Sequence, residues 1–217
     1  EKVHRALAAV AGATLLLACK ILDVESLASY IDFNTVGILI GMMLFVSVVK
    51  ISGLFEYIAI KAAKLSKGKP WIIMILFFII TAVLSAFLDN VTTVLLVGPM
   101  TIAVTEMLGL NPVPFLITQI LASNVGGTAT LIGDPPNIMI GSAAGLSFND
   151  FIVNTGVPAV IIGVLTLFCF YFIYGRKLHV TPEKMAAVME LDENKAIKDK
   201  VLLIQSVVVM ICVVVAF

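Results

Sequence analysis

The stretch SNVGGTATLIGDPPN, Ser123 to Asn137, decides how this chain folds. It lies at the centre of an otherwise apolar segment, Pro112 to Gly145, that is too long for one membrane crossing. Paired glycines at 126 and 127 and paired prolines at 135 and 136 cannot continue a helix. At 1.5 Å per residue, Pro112 to Ala122 spans about 16 Å, roughly half of the hydrocarbon thickness. The sequence thus predicts a discontinuous helix over about residues 112–145, broken near the membrane midplane.

Upstream, two apolar arms, Trp71 to Ser85 and Val94 to Thr105, flank a polar knot, Asp89-Asn90-Val91-Thr92-Thr93. Each arm falls short of the roughly 20 residues a crossing helix needs. That pattern predicts a re-entrant hairpin over about residues 71–107. Irregular backbone at membrane depth is tolerated only where protein or a water-filled cavity covers it, so the tip should be buried, level with the break.

The rest of the chain agrees. Of its 217 residues, 60% are hydrophobic and 13% charged, and mean hydropathy is +1.11, against about 45 to 50% apolar and about 25% charged in soluble domains. Further apolar runs occur at Ala6 to Ile21, Val36 to Val49, Gly156 to Gly175 and Val201 to Phe217. The expected fold class is all-α and polytopic, a single membrane domain over residues 1–217. The first run has none of the cleavage features of a signal peptide.

Lysine and arginine cluster at Lys2 to Arg5, Lys61 to Lys69 and Arg176 to Lys200, which the positive-inside rule places in the cytoplasm. The loop 176–200 is then cytoplasmic. Ala6 to Leu22 goes outward and Asn34 to about Ile60 returns, its end LFEYIAIKAAKL being amphipathic enough to lie along the inner interface. With the charges confined to loops and the formal net charge zero, no surface for nucleic acid can be assembled.

Unwound helices at mid-membrane are where secondary transporters hold ions and substrates, with half-helix N-termini facing anions and freed carbonyls facing cations. Asp89 and Asp134 are the sharpest residues, because no lysine, arginine or histidine occurs from Pro70 to Gly175. Each must meet a cation, a proton or a partner elsewhere; the open alternative for each is a neutral hydrogen-bonded carboxyl or a loop cap. A hard cation such as sodium wants oxygen ligands, which a carboxylate, Asn90, Asn124, Thr92, Thr128 and glycine carbonyls offer.

Other motifs carry less. Asn90-Val91-Thr92 matches a glycosylation sequon that a buried tip would hide. Gly127 to Gly133 lacks the lysine and spacing of a phosphate-binding loop. Gly37-x-x-x-Gly41 and Gly141-x-x-x-Gly145 fit small-residue helix packing. Cys19, Cys169 and Cys212 are isolated in apolar segments and read as packing residues. His4 and His179 read as solvated loop residues, and Glu106 and Asp150 as interfacial.

The segments SAFLDNVTTVLLVGP and SNVGGTATLIGDPPNIMI, in this order and spacing, resemble the branch of the ion-transporter superfamily that holds arsenite permeases, bacterial sodium/proton antiporters and the melanosomal P protein, with a citrate-transporter-like domain. The segment Ile31 to Ala59 is also similar to that branch. The resemblance implies two inverted repeats, a homodimer and elevator-like motion, with a second repeat beyond Phe217. In related dicarboxylate carriers a Ser-Asn-Thr tip and the broken-helix loop bind sodium and a carboxylate. Carried over by position, Ser85, Asp89, Asn90, Gly126, Gly127 and Thr128 become sodium-site candidates, with Thr92 and Thr93 nearer the substrate. Asn124, Pro135 and Asn137 belong to the same substrate stretch, and Asp134 joins Asp89 in sodium or proton coupling. Asp89 stands where those carriers have serine, which disfavours a dicarboxylate unless the other repeat supplies an arginine.

The expected function is secondary active ion transport, coupled to protons or sodium through Asp89 and Asp134, in a plasma or inner membrane. The expected partners are the lipid bilayer and a small inorganic ion or small carboxylate, with sodium as coupling ion and no other cofactor. An anion carrier is the alternative. A passive channel and an intramembrane aspartyl protease are remoter ones, since Leu131 and Pro135-Pro136 break the protease pattern around Asp134.

Overall fold

A computed structural model describes residues 4–25 and 27–216. Lys2 of the first basic cluster and Phe217 lie outside the described residues. Every regular element among the described residues is helical, in agreement with the all-α class. Two compact units divide between Ile38 and Leu39. The first holds α1 (Arg5–Ala18) and the start of α2 (Phe33–Ser52). Asp32 caps α2, its Oδ1 accepting the N–H of Asn34 at 3.0 Å and its Oδ2 the hydroxyl of Thr35 at 2.6 Å. At 14 residues, α1 stops short of Leu22, where the first apolar run ends.

The second unit holds the rest of α2 with α3 (Leu54–Leu65), α4 (Pro70–Ser85), α5 (Asn90–Leu108), α6 (Val113–Thr128), α7 (Pro135–Ala144), the short α8 (Phe148–Phe151), α9 (Val157–Ile173), α10 (Pro182–Met189) and α11 (Lys200–Ala216). Among the described residues, three helices are long and apolar enough to cross a membrane, Phe33–Ser52, Asn90–Leu108 and the continuous Phe148–Lys177. Pro70 opens α4, where a missing N–H costs nothing, and Pro158 closely follows the π-turn Ile152–Gly156 inside the continuous segment.

The core is built from small and apolar residues on several helices. Ala59, Ala62 and Ala63 of α3, Ile73, Met74 and Phe77 of α4, Val104 and Leu108 of α5, Phe115 of α6, Phe170 of α9 and Val188 of α10 form one buried cluster. The buried positions of α4 recur at 73–74, 77–78, 81 and 84–85, the helical period that keeps one stripe facing inward. A second cluster joins Val46 and Val49 to Leu54, Phe55, Leu84, Leu88, Leu96 and Val97.

The structure corrects three expectations. First, α3 has its apolar face covered by protein: Leu54, Phe55, Ala59, Ile60, Ala62 and Ala63 are buried. Segment 193–196 lies against α3 and is held by the Lys64–Glu193 ion pair at 2.5 Å and by the N–H of Lys198 on the Ser52 carbonyl at 3.1 Å. The basic segments 61–69 and 176–200 therefore share one end of this unit. Second, α5 begins at Asn90 and runs 19 residues, longer than the arm read from Val94, because a cap at Asp89 brings the polar knot into its first turn. Third, Cys19, Cys169 and Cys212 are exposed rather than packed, and all are free.

Candidate functional site

The site is the meeting place of two interruptions: the turn at residues 86–89 between α4 and α5, and the break at residues 129–134 between α6 and α7. The break is shorter than the sequence indicates, because Ser123 to Thr128 remain helical in α6. Gly126 allows this. A Cβ on it would run into the carbonyl of Ala82, so the glycine lets α6 pack directly on the α4 backbone, as small residues do between membrane helices.

Three hydrogen-bonded links hold the interruptions together, and a fourth set closes the break. The Ser85 hydroxyl donates to the Ser123 carbonyl at 2.7 Å. The Thr130 hydroxyl donates to the Ala86 carbonyl and accepts the N–H of Gly133 at 3.1 Å. The Asn90 amide donates to Asn124 Oδ1 at 3.1 Å. The Asn137 amide closes the break, donating to the carbonyls of Gly127 at 3.0 Å and Thr130 at 2.9 Å. The carbonyls of Ala86, Gly127 and Thr130 lie at a helix end or in the break, where an intrahelical donor is missing, and the Thr130 and Asn137 side chains supply one.

The two aspartates sit differently. Asp89 is the N-cap of α5: its Oδ1 accepts the N–H groups of Val91 at 2.9 Å and Thr92 at 3.2 Å, and Oδ2 accepts Thr92 N–H at 3.3 Å. Its carbonyl accepts the Thr93 N–H at 3.0 Å and the Thr93 hydroxyl at 2.9 Å. Asp134 occupies the N-cap position of α7 with extended backbone, φ −138° and ψ 140°, and its side chain caps nothing. Pro135 and Pro136 have no N–H to offer, and the Asn137 N–H goes to the Asp134 carbonyl at 3.0 Å. Its carboxylate rests against Gly127, where an added Cβ would stand 2.6 Å from Oδ2 and 3.0 Å from Oδ1.

The other candidates fall in the same region, in unequal roles. Ser85 and Gly126 are buried and committed to helix packing. Thr93 is buried, and Thr92 and Asn90 are half-buried beside it. Asn124 and Thr128, one turn apart on α6, are exposed, the Thr128 hydroxyl donating to Val125 O at 3.0 Å. Asn90, Ser123 and Asn124 line a recess of about 240 Å³ with Val91, Val94, Leu95 and Ile120. A separate recess of about 70 Å³ lies between Asp89, Pro135 and apolar residues such as Met42, Val46 and Ile138. Among the described residues no group of three or more His, Cys, Asp or Glu stands ready for a metal; the oxygens here are carboxylate, amide, hydroxyl and carbonyl, the ligand type of hard cations.

Sequence reasoning missed Thr130, the residue that ties the break to the turn, although it lies inside the quoted motif. It also missed Gln119, buried in α6, whose amide donates to the Thr101 hydroxyl of α5 at 2.5 Å. A lone glutamine in an apolar helix was the available signal.

With this geometry in hand, comparison with known proteins identifies the family. A family model described as "Citrate transporter" matches residues 1–217, and the chain belongs to that family. It is 42% identical over 221 residues to a 46 kDa membrane protein of Mycobacterium leprae, covering all of this chain and 52% of the relative. It is 47% identical over 187 residues to an uncharacterized transporter of Mycobacterium tuberculosis, covering 86% of this chain and 44% of the relative. The human P protein is 40% identical over 193 residues, 82% of this chain and 23% of that protein. The chain thus spans about half the length of the mycobacterial relatives it matches. No solved structure matches it.

Proposed function

We propose that this chain forms one half of a secondary active ion carrier of the arsenite or sodium/proton antiporter type, with proton or sodium movement coupled where the α4–α5 turn meets the α6–α7 break. One observation carries the reading. Two interruptions of apolar helices are pinned to each other by side chains, and beside them a carboxylate, Asp134, has no hydrogen-bond partner among the described residues. Unwound backbone beside ionisable groups in such helices is the arrangement that secondary carriers use for ions. The α4–α5 pair is the re-entrant element of this reading, the chain length outside the matched half of the relatives supplies the second repeat, and the carrier is a dimer. The basic segments 61–69 and 176–200 face the cytoplasm.

A second reading, uptake of a small carboxylate such as citrate, is favoured by the description of the family. Against it, the N–H groups of Val91 and Thr92 at the start of α5 are taken by Asp89, and the start of α7 is proline. No basic side chain lies from Pro70 to Gly175 to offset the two carboxylates. The test is flux into proteoliposomes of the complete protein with a pH dye inside, offering sodium, lithium, arsenite and citrate in turn. Proton movement with sodium or lithium supports the antiporter; citrate uptake without cation dependence replaces it with the carboxylate carrier.

A further inference from the structure

Resting on the carrier reading above, we infer that the two aspartates do different work: Asp134 is the carboxylate that meets the coupling cation, and Asp89 is a positioning residue that fixes the start of α5. Asp89 has the geometry of a helix cap and little else. Its oxygens accept the N–H groups of Val91 and Thr92 at 2.9 to 3.3 Å, and the recess it lines is otherwise apolar. Asparagine and serine cap helices about as well as aspartate, so this duty does not require a charge.

Asp134 is the converse. The two prolines after it remove the donors that an N-cap carboxylate would otherwise bind, and the next amide, Asn137 N–H, is held by the Asp134 backbone carbonyl at 3.0 Å. Its oxygens therefore face the end of α6, against the Cα of Gly127. That end is the carbonyl end of a helix, where partial negative charge favours a cation. Asn137 holds the Gly127 and Thr130 carbonyls through its amide nitrogen, which fixes the backbone of the break beside Asp134. Carboxylate and helix-end carbonyls make an oxygen-only environment of the kind sodium or lithium takes. The carboxylate of Asp89 acts on Asp134 through space, and two carboxylates together favour a cation.

The test compares the complete protein with Asp134→Asn, Asp89→Ser and Asp89→Asn. Two readouts are taken: the rise in Tm on replacing choline chloride with sodium or lithium chloride, and cation-driven proton flux in proteoliposomes. The expected result is that Asp89→Ser and Asp89→Asn keep the cation-dependent Tm rise and a flux within about twofold of the parent, as interchangeable caps should. Asp134→Asn keeps its fold but loses both readouts to the level of choline and of empty liposomes. Loss of both readouts in folded Asp89→Ser, or their survival in Asp134→Asn, overturns the division of roles. A parent protein with neither readout overturns the carrier reading itself. If Asp134→Asn fails to fold, Asp134→Ser takes its place and the Asp89 pair still decides the inference.

Discussion

The carboxylate of Asp134 packs on the bare Cα of Gly127, so closely that a methyl group there would stand 2.6 Å from Oδ2. The glycine is thus part of how the aspartate is aimed, although it carries no chemistry. Gly127→Ala would force the carboxylate aside. Its expected effect is a fall of about tenfold or more in apparent affinity for the driving cation, equivalent to about 1.4 kcal/mol. Gly98→Ala, whose Cβ meets only Leu116 Cδ2 at 3.7 Å, serves as the control and leaves that affinity unchanged. Cation titrations of flux in proteoliposomes give both values.

Gly126, next in sequence, has a different duty. A side chain there meets the backbone of Ala82 and must separate α6 from α4. Gly126→Leu is expected to destabilise the protein by about 1–3 kcal/mol, the usual cost of overpacking, read as a lower Tm in detergent regardless of which cation is present. An unchanged Tm would mean that the two helices do not depend on this contact.

Thr130 bridges the break and the turn through one hydroxyl. Thr130→Val preserves shape but leaves the Ala86 carbonyl and the Gly133 N–H without that partner. A loss of about 1–3 kcal/mol follows from stranding buried polar groups. Thermal unfolding measures the loss, and Thr130→Ser should recover most of it.

The segment that covers α3 should respond to pH. The Lys64 ammonium bonded to Glu193 at 2.5 Å holds that carboxyl below its ordinary value of 4.5. A group depressed in the folded state contributes at all pH values above its unfolded pKa and loses that contribution as pH falls through the folded value. The segment around Glu193 should therefore stay docked at neutral pH and loosen only below pH 4.5. Lys64→Gln should show the same loosening already at neutral pH. Hydrogen exchange at Lys198, whose N–H bonds to Ser52 O, corrected for intrinsic rates, reports both.

Much of the architecture was legible in the sequence because it follows from local composition. The apolar runs gave the helical class and the Pro-Pro pair marked a broken segment between α6 and α7, whereas the crossing read from Asn34 to about Ile60 divides at Gly53 into α2 and α3. What was not legible depends on the folded surroundings of each residue. For Asp89 a coupling carboxylate and a cap both stood open in the sequence, and the cap bonds exist only once Val91 and Thr92 are helical. Ser123 to Thr128 read as loop because two glycines weaken a helix in isolation, whereas packing on Ala82 keeps them helical. The amphipathic face of α3 read as an interfacial stripe because the residues that cover it, such as Met74, Phe77, Val104 and Val188, come from later helices. At the site, Asn90, Asn124, Asp134 and Asn137 were identifiable by type, but the pairings Asn90–Asn124 and Gly127–Asp134 required the fold.

The measurement that bears most directly on the account is gradient-driven transport by the complete protein in sealed proteoliposomes. A sodium or lithium gradient is imposed with the pH initially equal on both sides, and the internal pH is followed. The account predicts that the cation gradient moves protons, that reversing the gradient reverses their direction, and that Asp134→Asn abolishes the movement. Flux that ignores the direction of the cation gradient, or that continues undiminished in Asp134→Asn, would contradict it.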